Sequence, residues 1–276
     1  MSFKIVTDSS ADMTDFSKIP FASVPLTIST AEREFVDNKE LDTLAMLDYL
    51  KKYKGRSGSA CPSPAAYLEA FGDAENVFCV TITSNLSGSY NSAMNAASAY
   101  VAEHPERHVH VIDSLSTGPE NALIIEKLAE LIERGLSFDE IKAEIIEYQK
   151  STHLIFALES LHNLANNGRV NPLVAKISGV LGIRVIGKAS DVGTLEITNK
   201  SRGAQGALRD VIANIKSTGY AGGRVRIHHA NNKSVAETLK ERLTAEFPNA
   251  DVTVGETRGL CSFYAESGGV LIGFEA

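Results

Sequence analysis

Hydroxyl side chains crowd one short stretch of the sequence, TITSNLSGSYNSA at residues 81–93. An apolar, β-branched run leads into it and an Ala-rich segment follows, so the pattern predicts a corner between a strand and a helix. Ser87 and Gly88 lie at the predicted start of that helix. The N–H groups in the first turn of a helix lack intrahelical partners and carry partial positive charge. Such a corner can hold an anion such as a carboxylate, or Ser87 can simply cap the helix.

A second serine-rich corner strengthens the case for anion binding. It contains Ser57, Ser59 and Ser63, and the Ser63–Pro64 pair is typical of an N-cap followed by the first helical residue. One helix cap accounts for one serine and leaves the other hydroxyls at both corners unexplained. The residue types alone keep both interpretations open.

Other chemistries fit the same residues less well. Ser87 followed by Gly88 is similar to a nucleophile elbow, but no G-x-S-x-G is present, and a triad also needs a histidine and an acid. The histidines lie around a helix end and in strand patterns, which favours structural or solvent-facing positions. A small serine-dependent hydrolase or phosphotransferase therefore stays as the alternative to carboxylate binding. A sugar or small-anion binder is a third, less favoured interpretation. The sequence contains no G-x-x-x-x-G-K-[ST] or G-x-G-x-x-G phosphate loop and no zinc-ligand spacing.

Composition narrows the class of protein. The 276 residues carry a net charge of -7 with dispersed Lys and Arg, which argues against nucleic-acid binding. No apolar run approaches the roughly 20 residues needed to span a bilayer, and the N-terminus does not look like a signal peptide. Cys61, Cys79 and Cys261 are odd in number and far apart, as free thiols in a reducing compartment would be. We therefore expect a cytoplasmic protein without membrane insertion, metal or cofactor.

Strand and helix patterns alternate through the first half of the chain. This predicts an N-terminal α/β domain over residues 1–152, with a parallel sheet between two layers of helices. Residues 153–276 contain more hairpin-like strand pairs, which predicts a two-layer domain with a mixed sheet and helices. Polar corners follow three strands, at Asp8, Ser84 and Asp113. Because ligands bind beyond the carboxyl ends of parallel strands, these corners should gather on one edge.

Individual elements are predicted as follows. FASVPLTIST at 21–30 is expected to form one strand, and a helix is expected over 87–104. The stretches at 183–189 and 194–200 flank SDVG and predict a hairpin. Ser137 and Glu140 have the spacing of a capping box.

Six motifs in order resemble those of one family. They are IVTDSSAD (5–12), SACPSP (59–64), SNLSGSYNSA (84–93), VIDS (111–114), LANNGRV (164–170) and GTLEITNKSRG (193–203). Each motif alone is weak, but together they cover nearly the whole chain and resemble the DegV family of bacterial fatty-acid-binding proteins.

The resemblance implies a long-chain fatty acid, palmitate for example, as the ligand, buried between or within two domains. It implies that Ser59 and Ser87, with Gly88 beside Ser87, hold the carboxylate, and that Arg202 lies toward the head group. Some family members take part in lipid transport or fatty acid metabolism by presenting the acyl chain to a separate fatty acid kinase. For this chain the resemblance thus implies a carrier that is not itself an enzyme, with such a kinase as a candidate partner and Arg169 on the partner-facing surface.

One departure from the family pattern stands out. Many members have a histidine close to the carboxylate where FYAESGGVLIGF (263–274) has Glu266. A glutamate beside a fatty carboxylate would repel it unless one of the two is protonated. Alternatively, Glu266 could pair with Arg202 and orient it. The apolar residues of the tunnel cannot be told from ordinary core by periodicity; Leu26 and Leu158 are among the candidates.

Overall fold

The fold is that of a computed structural model, which describes residues 2–171, 173 and 182–276. Within these residues the strands are β1 (Phe3–Asp8), β2 (Phe21–Val24), β3 (Thr27–Thr30), β4 (Glu34–Val36), β5 (Ser57–Ala60), β6 (Asn76–Thr81), β7 (His108–Asp113), β8 (Thr152–Leu158), β9 (Ile183–Ala189), β10 (Leu195–Arg202), β11 (Gly223–His229), β12 (Ala250–Glu256) and β13 (Val270–Glu275). The α-helices are α1 (Thr43–Lys52), α2 (Pro64–Phe71), α3 (Ser89–Glu103), α4 (Pro119–Glu133), α5 (Phe138–Tyr148), α6 (His162–Asn166), α7 (Gly203–Ser217), α8 (Lys233–Glu246) and α9 (Gly259–Ala265). Short 3-10 turns cover Ser9–Ala11 and Gln149–Ser151.

The N-terminal sheet is entirely parallel, with strand order β2-β1-β6-β7. Alternate residues of its strands face opposite sides, and both sides are apolar. Ile5 and Phe78 pack against α4 and α5, whereas Val6 and Cys79 pack against α2 and α3. This confirms the predicted parallel sheet between helices.

The second sheet has six strands in the order β10-β9-β8-β13-β11-β12. Its β11–β12 pair is parallel and the other pairs are antiparallel, which confirms the predicted mixed sheet and its β9–β10 hairpin. We call the face covered by α7 and α8 the outer face. The opposite, inner face contacts α4. The proposed division of the chain at residue 152 stays a prediction.

One close contact fixes α4 against the inner face. A Cβ at Gly273 of β13 would lie 2.5 Å from the backbone nitrogen of Glu120, in the first turn of α4. Only a residue without a side chain lets a helix and a strand approach this closely. The backbones of the two halves of the chain therefore touch at this point.

A small third sheet, with order β4-β3-β5, was not predicted. The predicted single strand over 21–30 is wrong, because it is divided into β2 and β3 in two different sheets. The break falls at Pro25 and Leu26, and a proline has no N–H for a ladder. The N–H of Leu26 instead donates to the Ser9 hydroxyl, at 3.0 Å.

Candidate functional site

Helix α3 begins at Ser89, two residues later than predicted, with Gly88 in the N-cap position and no side-chain cap. The chain turns first because the N–H groups of Leu86 and Ser87 both donate to the Thr83 carbonyl. The Ser87 hydroxyl accepts from the Ser89 N–H and lies 3.2 Å from the Ser89 hydroxyl. Ser87 is therefore not the N-cap, and its half-buried hydroxyl lies just outside the helix start.

The three polar corners do meet at one edge, as predicted. Asp8 accepts from the N–H of Ile82 at 3.0 Å, and Asp113 accepts from the N–H of Ser84 at 3.1 Å. Burial raises the pKa of Asp8 to about 6, although its hydrogen bonds act in the opposite direction. These carboxylates connect the ends of β1, β6 and β7, and thereby hold the backbone of the serine-rich corner at 81–93 in place.

Ser59 pairs with a tyrosine from the far end of the chain. Its hydroxyl lies 2.8 Å from that of Tyr264 in α9. Ser59 belongs to β5, which is held in register by pairing with Ile28 of β3. The small third sheet thus carries a serine hydroxyl to the C-terminal helix.

Arg169 places a positive charge close to Ser87 and Tyr264. Its Nε donates to the Leu86 carbonyl at 3.2 Å, next to Ser87 in the chain. Its guanidinium lies 5.9 Å from the centre of the Tyr264 ring, within the range of a cation–π contact. We call Ser59, Ser87, Arg169 and Tyr264 the polar cluster.

An apolar cavity extends from the polar cluster. It has about 630 Å³ of empty space, including its mouth. Its lining comprises the polar cluster and Leu26, Ile82, Leu86, Thr117, Leu154, Phe156, Leu158, Leu164, Leu195, Leu260, Cys261, Ala265 and Leu271. The cavity is thus polar in one region and hydrocarbon-like over most of its wall.

The wall that carries Tyr264 is anchored by two carboxylates of the N-terminal half. Asp37 accepts from the N–H groups of Gly259 and Leu260 at 2.7 and 2.8 Å, and Asp12 accepts from that of Arg258 at 2.6 Å. Negative charge at a helix N-terminus is favourable. Burial raises the pKa of Asp37 to about 6. Both contacts orient α9, and with it the tyrosine.

The structure brings together only part of the predicted site. Ser59 and Ser87 line the cavity, and Gly88 adjoins it, where a Cβ would lie 3.0 Å from the Cys61 sulfur. Arg202 is exposed at the end of β10 and is not part of the lining. Glu266 also lies outside the lining, where it accepts from the Ser160 hydroxyl at 2.8 Å and from the Asn163 N–H at 3.1 Å.

Two members of the polar cluster were missed or assigned another role. Tyr264 lines the cavity and stands two residues before Glu266 in FYAES, the segment in which the departure from the family pattern falls. Arg169 contributes to the cavity wall, and its expected place on a partner-facing surface stays a prediction. The candidate residues Leu26 and Leu158 do line the cavity.

Cys261 lines the cavity, but burial raises the pKa of its thiol well above the ordinary value. Among residues 2–171, 173 and 182–276, no three His, Cys, Asp or Glu side chains are grouped as metal ligands would be. No helix in this described part of the chain is both long enough and apolar enough to cross a bilayer.

Comparisons with known proteins agree with this architecture. The family model described as "Uncharacterised protein, DegV family" matches residues 2–276. A DegV domain-containing protein from Streptococcus pneumoniae is 46% identical over 279 residues, covering 100% of this chain and 99% of the relative.

Two solved structures are similar over the whole chain. A DegV family protein from Eubacterium eligens, loaded with heptadecanoic acid, is 46% identical with a TM-score of 0.98, and the match covers 100% of both chains. The Fatty Acid Kinase (Fak) B3 protein from Streptococcus pneumoniae, loaded with linoleic acid, is 45% identical with a TM-score of 0.98, covering 100% of this chain and 99% of that one. The family match over nearly the whole sequence and these identities show that the chain belongs to the DegV family.

Proposed function

We propose that the chain binds one long-chain fatty acid, with the acyl chain in the apolar cavity and the carboxylate at the polar cluster. The observation that carries this proposal is the cavity itself, whose long aliphatic wall meets two serine hydroxyls and an arginine in one region. Relatives of the same fold that are 46% and 45% identical hold fatty acids. An amphipathic ligand with one anionic end is the chemistry that this cavity matches.

The acyl chain supplies most of the affinity in this arrangement. Burying a methylene is worth about 0.8 kcal/mol, so some 14 methylenes contribute on the order of 11 kcal/mol before the costs of binding. A hydrogen bond to a charged group adds roughly 1.5–3 kcal/mol. The polar cluster therefore sets the orientation and head-group selectivity of the ligand more than its affinity.

Arg169 is the cation that we assign to the carboxylate. Ser59, Ser87 and Tyr264 can each donate a hydroxyl hydrogen, and Arg169 beside them supplies charge. Neither Arg202 nor Glu266 is needed for this arrangement. Glu266 lies outside the cavity lining, hydrogen-bonded at the N-terminal end of α6, so it does not oppose the ligand's negative charge directly.

We propose a carrier and not a catalyst. The hydroxyl of Ser87 is hydrogen-bonded to Ser89 and not to a base, whereas a nucleophilic serine needs a neighbouring general base. Since the related Fak B3 protein is named for a fatty acid kinase, we propose that a kinase subunit acts on the carboxylate held here. We assign this role to the cytoplasm, which the three free cysteines support, and propose domains of 1–152 and 153–276 with the ligand between them.

Native mass spectrometry of freshly purified protein, followed by organic extraction, tests ligand binding. We expect a bound mass in the fatty-acid range that the extraction releases, and binding of added palmitate after delipidation. A protein that neither carries nor takes up a fatty acid would overturn the proposal. Hydrolysis of acyl esters that is lost in Ser87→Ala would instead favour the serine hydrolase.

The variant Ser87→Ala tests the polar cluster. We expect palmitate binding to weaken about tenfold, because one hydrogen bond to a charged group is lost. The matched control is Ser98→Ala, on the helix α3 that follows Ser87, whose exposed hydroxyl donates to the Met94 carbonyl away from the cavity. Equal affinities of the two variants would show that Ser87 does not contact the ligand.

A further inference from the structure

Leu154 lies between the apolar cavity and a second, solvent-open space. It lines both the cavity and a cleft of about 1100 Å³ of empty space that is open to solvent. The cleft is lined by charged and polar side chains, among them Glu120, Lys150 and Thr152, and by apolar ones such as Ile146. Leu154 is only 2% exposed, so it fills the boundary between the two spaces.

The cavity runs along β8 toward this boundary. Leu154, Phe156 and Leu158 alternate along the strand and all line the cavity, over a length of roughly 13 Å. Leu158 lies beside Ala265, because a Cβ on Gly269 would be 3.1 Å from Leu158 Cδ2 and 2.7 Å from Ala265 Cβ. Ala265 follows Tyr264 of the polar cluster, so Leu158 marks the head-group end and Leu154 the opposite end.

The neighbouring hairpin completes the same boundary. Leu195 of β10 lines the cavity, and Ala189, its pairing partner on β9, lines the cleft. No member of the polar cluster lines the cleft. A chain held by its carboxylate at the polar cluster therefore meets Leu154 with its methyl end.

We propose that Leu154 is a specificity-determining residue that sets the longest acyl chain the site binds with full affinity. This inference rests on the proposed fatty-acid binding. Each methylene added within the cavity should tighten binding about fourfold. A methylene that passes Leu154 would enter a cleft that is open to solvent and would stay partly hydrated, so the gain in affinity per methylene should fall at a defined chain length.

The test measures dissociation constants of delipidated protein for saturated fatty acids of increasing length. We call the chain length at which the gain in affinity per methylene falls the break point. In Leu154→Ala it should move to longer chains by roughly three carbons, because the substitution removes about that many side-chain carbons. In Leu154→Phe the break point should move to shorter chains. The matched control is Ile155→Ala, the next residue on the same strand, which packs in the outer core and does not line the cavity.

The outcomes separate this inference from the proposed function. A wild type that binds no fatty acid of any length would end both. A wild type with a break point that neither Leu154 variant moves would overturn the role of Leu154 and leave fatty-acid binding intact. A shift of the same size in Ile155→Ala would also overturn it, because general loosening would then explain the change.

Discussion

The two faces of the six-stranded sheet differ in how they are closed. The outer face is sealed, with Ile155 and Ile272 in one continuous buried cluster under α7 and α8. The inner face changes character across its width. At β8 it borders the cavity, whereas at β11 it presents Arg224 and Arg226 to acidic residues of α4.

This difference shows how strands can serve stability and binding at once. Since alternate residues point to opposite faces, the apolar positions of β8, β11 and β13 that build the outer core leave the intervening positions free. Those positions are leucine and phenylalanine at the cavity and glycine where α4 touches the sheet. At β11 they are Arg224 and Arg226, and we call these arginines with their acidic partners on α4 the ionic end. One face specifies the fold while the other can be adapted to a ligand.

The largest expected effect is on the free energy of unfolding, when a side chain is truncated on each of the two faces in delipidated protein. Ile272→Ala on the outer face should lower the free energy of unfolding by about 4 kcal/mol. Leu158→Ala on the inner face should cost about 2 kcal/mol, because its side chain already borders empty space and has fewer contacts to lose. Urea denaturation measures both losses. Equal losses would show that the cavity wall is packed as tightly as the core.

The next effect concerns the ionic end. Arg226 forms a two-pronged pair with Glu126 of α4, at 2.8 and 2.7 Å, and its side chain is 10% exposed. Arg226→Met should destabilise the protein by about 3 kcal/mol, because the partly buried carboxylate loses its main partner. Adding Glu126→Leu should restore most of the loss in the same denaturation assay. Palmitate affinity that falls in the single variant would contradict the separation of ionic end and cavity.

The last effect is at the middle of the inner face and depends on pH. Burial raises the pKa of Glu120 from 4.5 to about 7, against a hydrogen bond from the Thr152 hydroxyl. The folded protein therefore binds more protons than the unfolded chain between these values, and this group's contribution to stability falls as pH rises through that window.

Glu120→Gln removes that titration. The variant should be more stable than the wild type by about 3 kcal/mol at pH 8, with the difference vanishing below pH 4.5. Denaturation at several pH values measures the difference. A constant difference across the range would mean that Glu120 is not protonated in the fold.

The sequence carried enough local information for the architecture and part of the site. Apolar alternation and continuous strands predicted both sheets, and the capping box at Ser137 and Glu140 is present. The Ser63 cap with Pro64 is also found. Ser59 and Ser87 were identified by hydroxyl clustering and by the family resemblance, and both line the cavity. These are signals that neighbouring residues can encode.

Other features depend on contacts between distant segments and had no local signal. Ser59 and Tyr264 are 205 positions apart, so no spacing rule connects them. Glu266 aligned with the expected position in the motif, but its side chain turns to α6. The third sheet was missed because SGSA at 57–60 has little strand propensity and forms β5 only beside β3.

At Gly273 there is no room for even a single methyl group between β13 and α4. Any side chain at this position must lift the start of α4 from β13, since a Cβ would also lie 2.6 Å from the Pro119 carbonyl carbon. Helix α4 carries Glu126 to the ionic end, and Thr117, two residues before the helix, lines the cavity. Lifting α4 would therefore displace both the cavity wall and the ion pairs of the inner face, so position 273 fixes the placement of the two relative to each other.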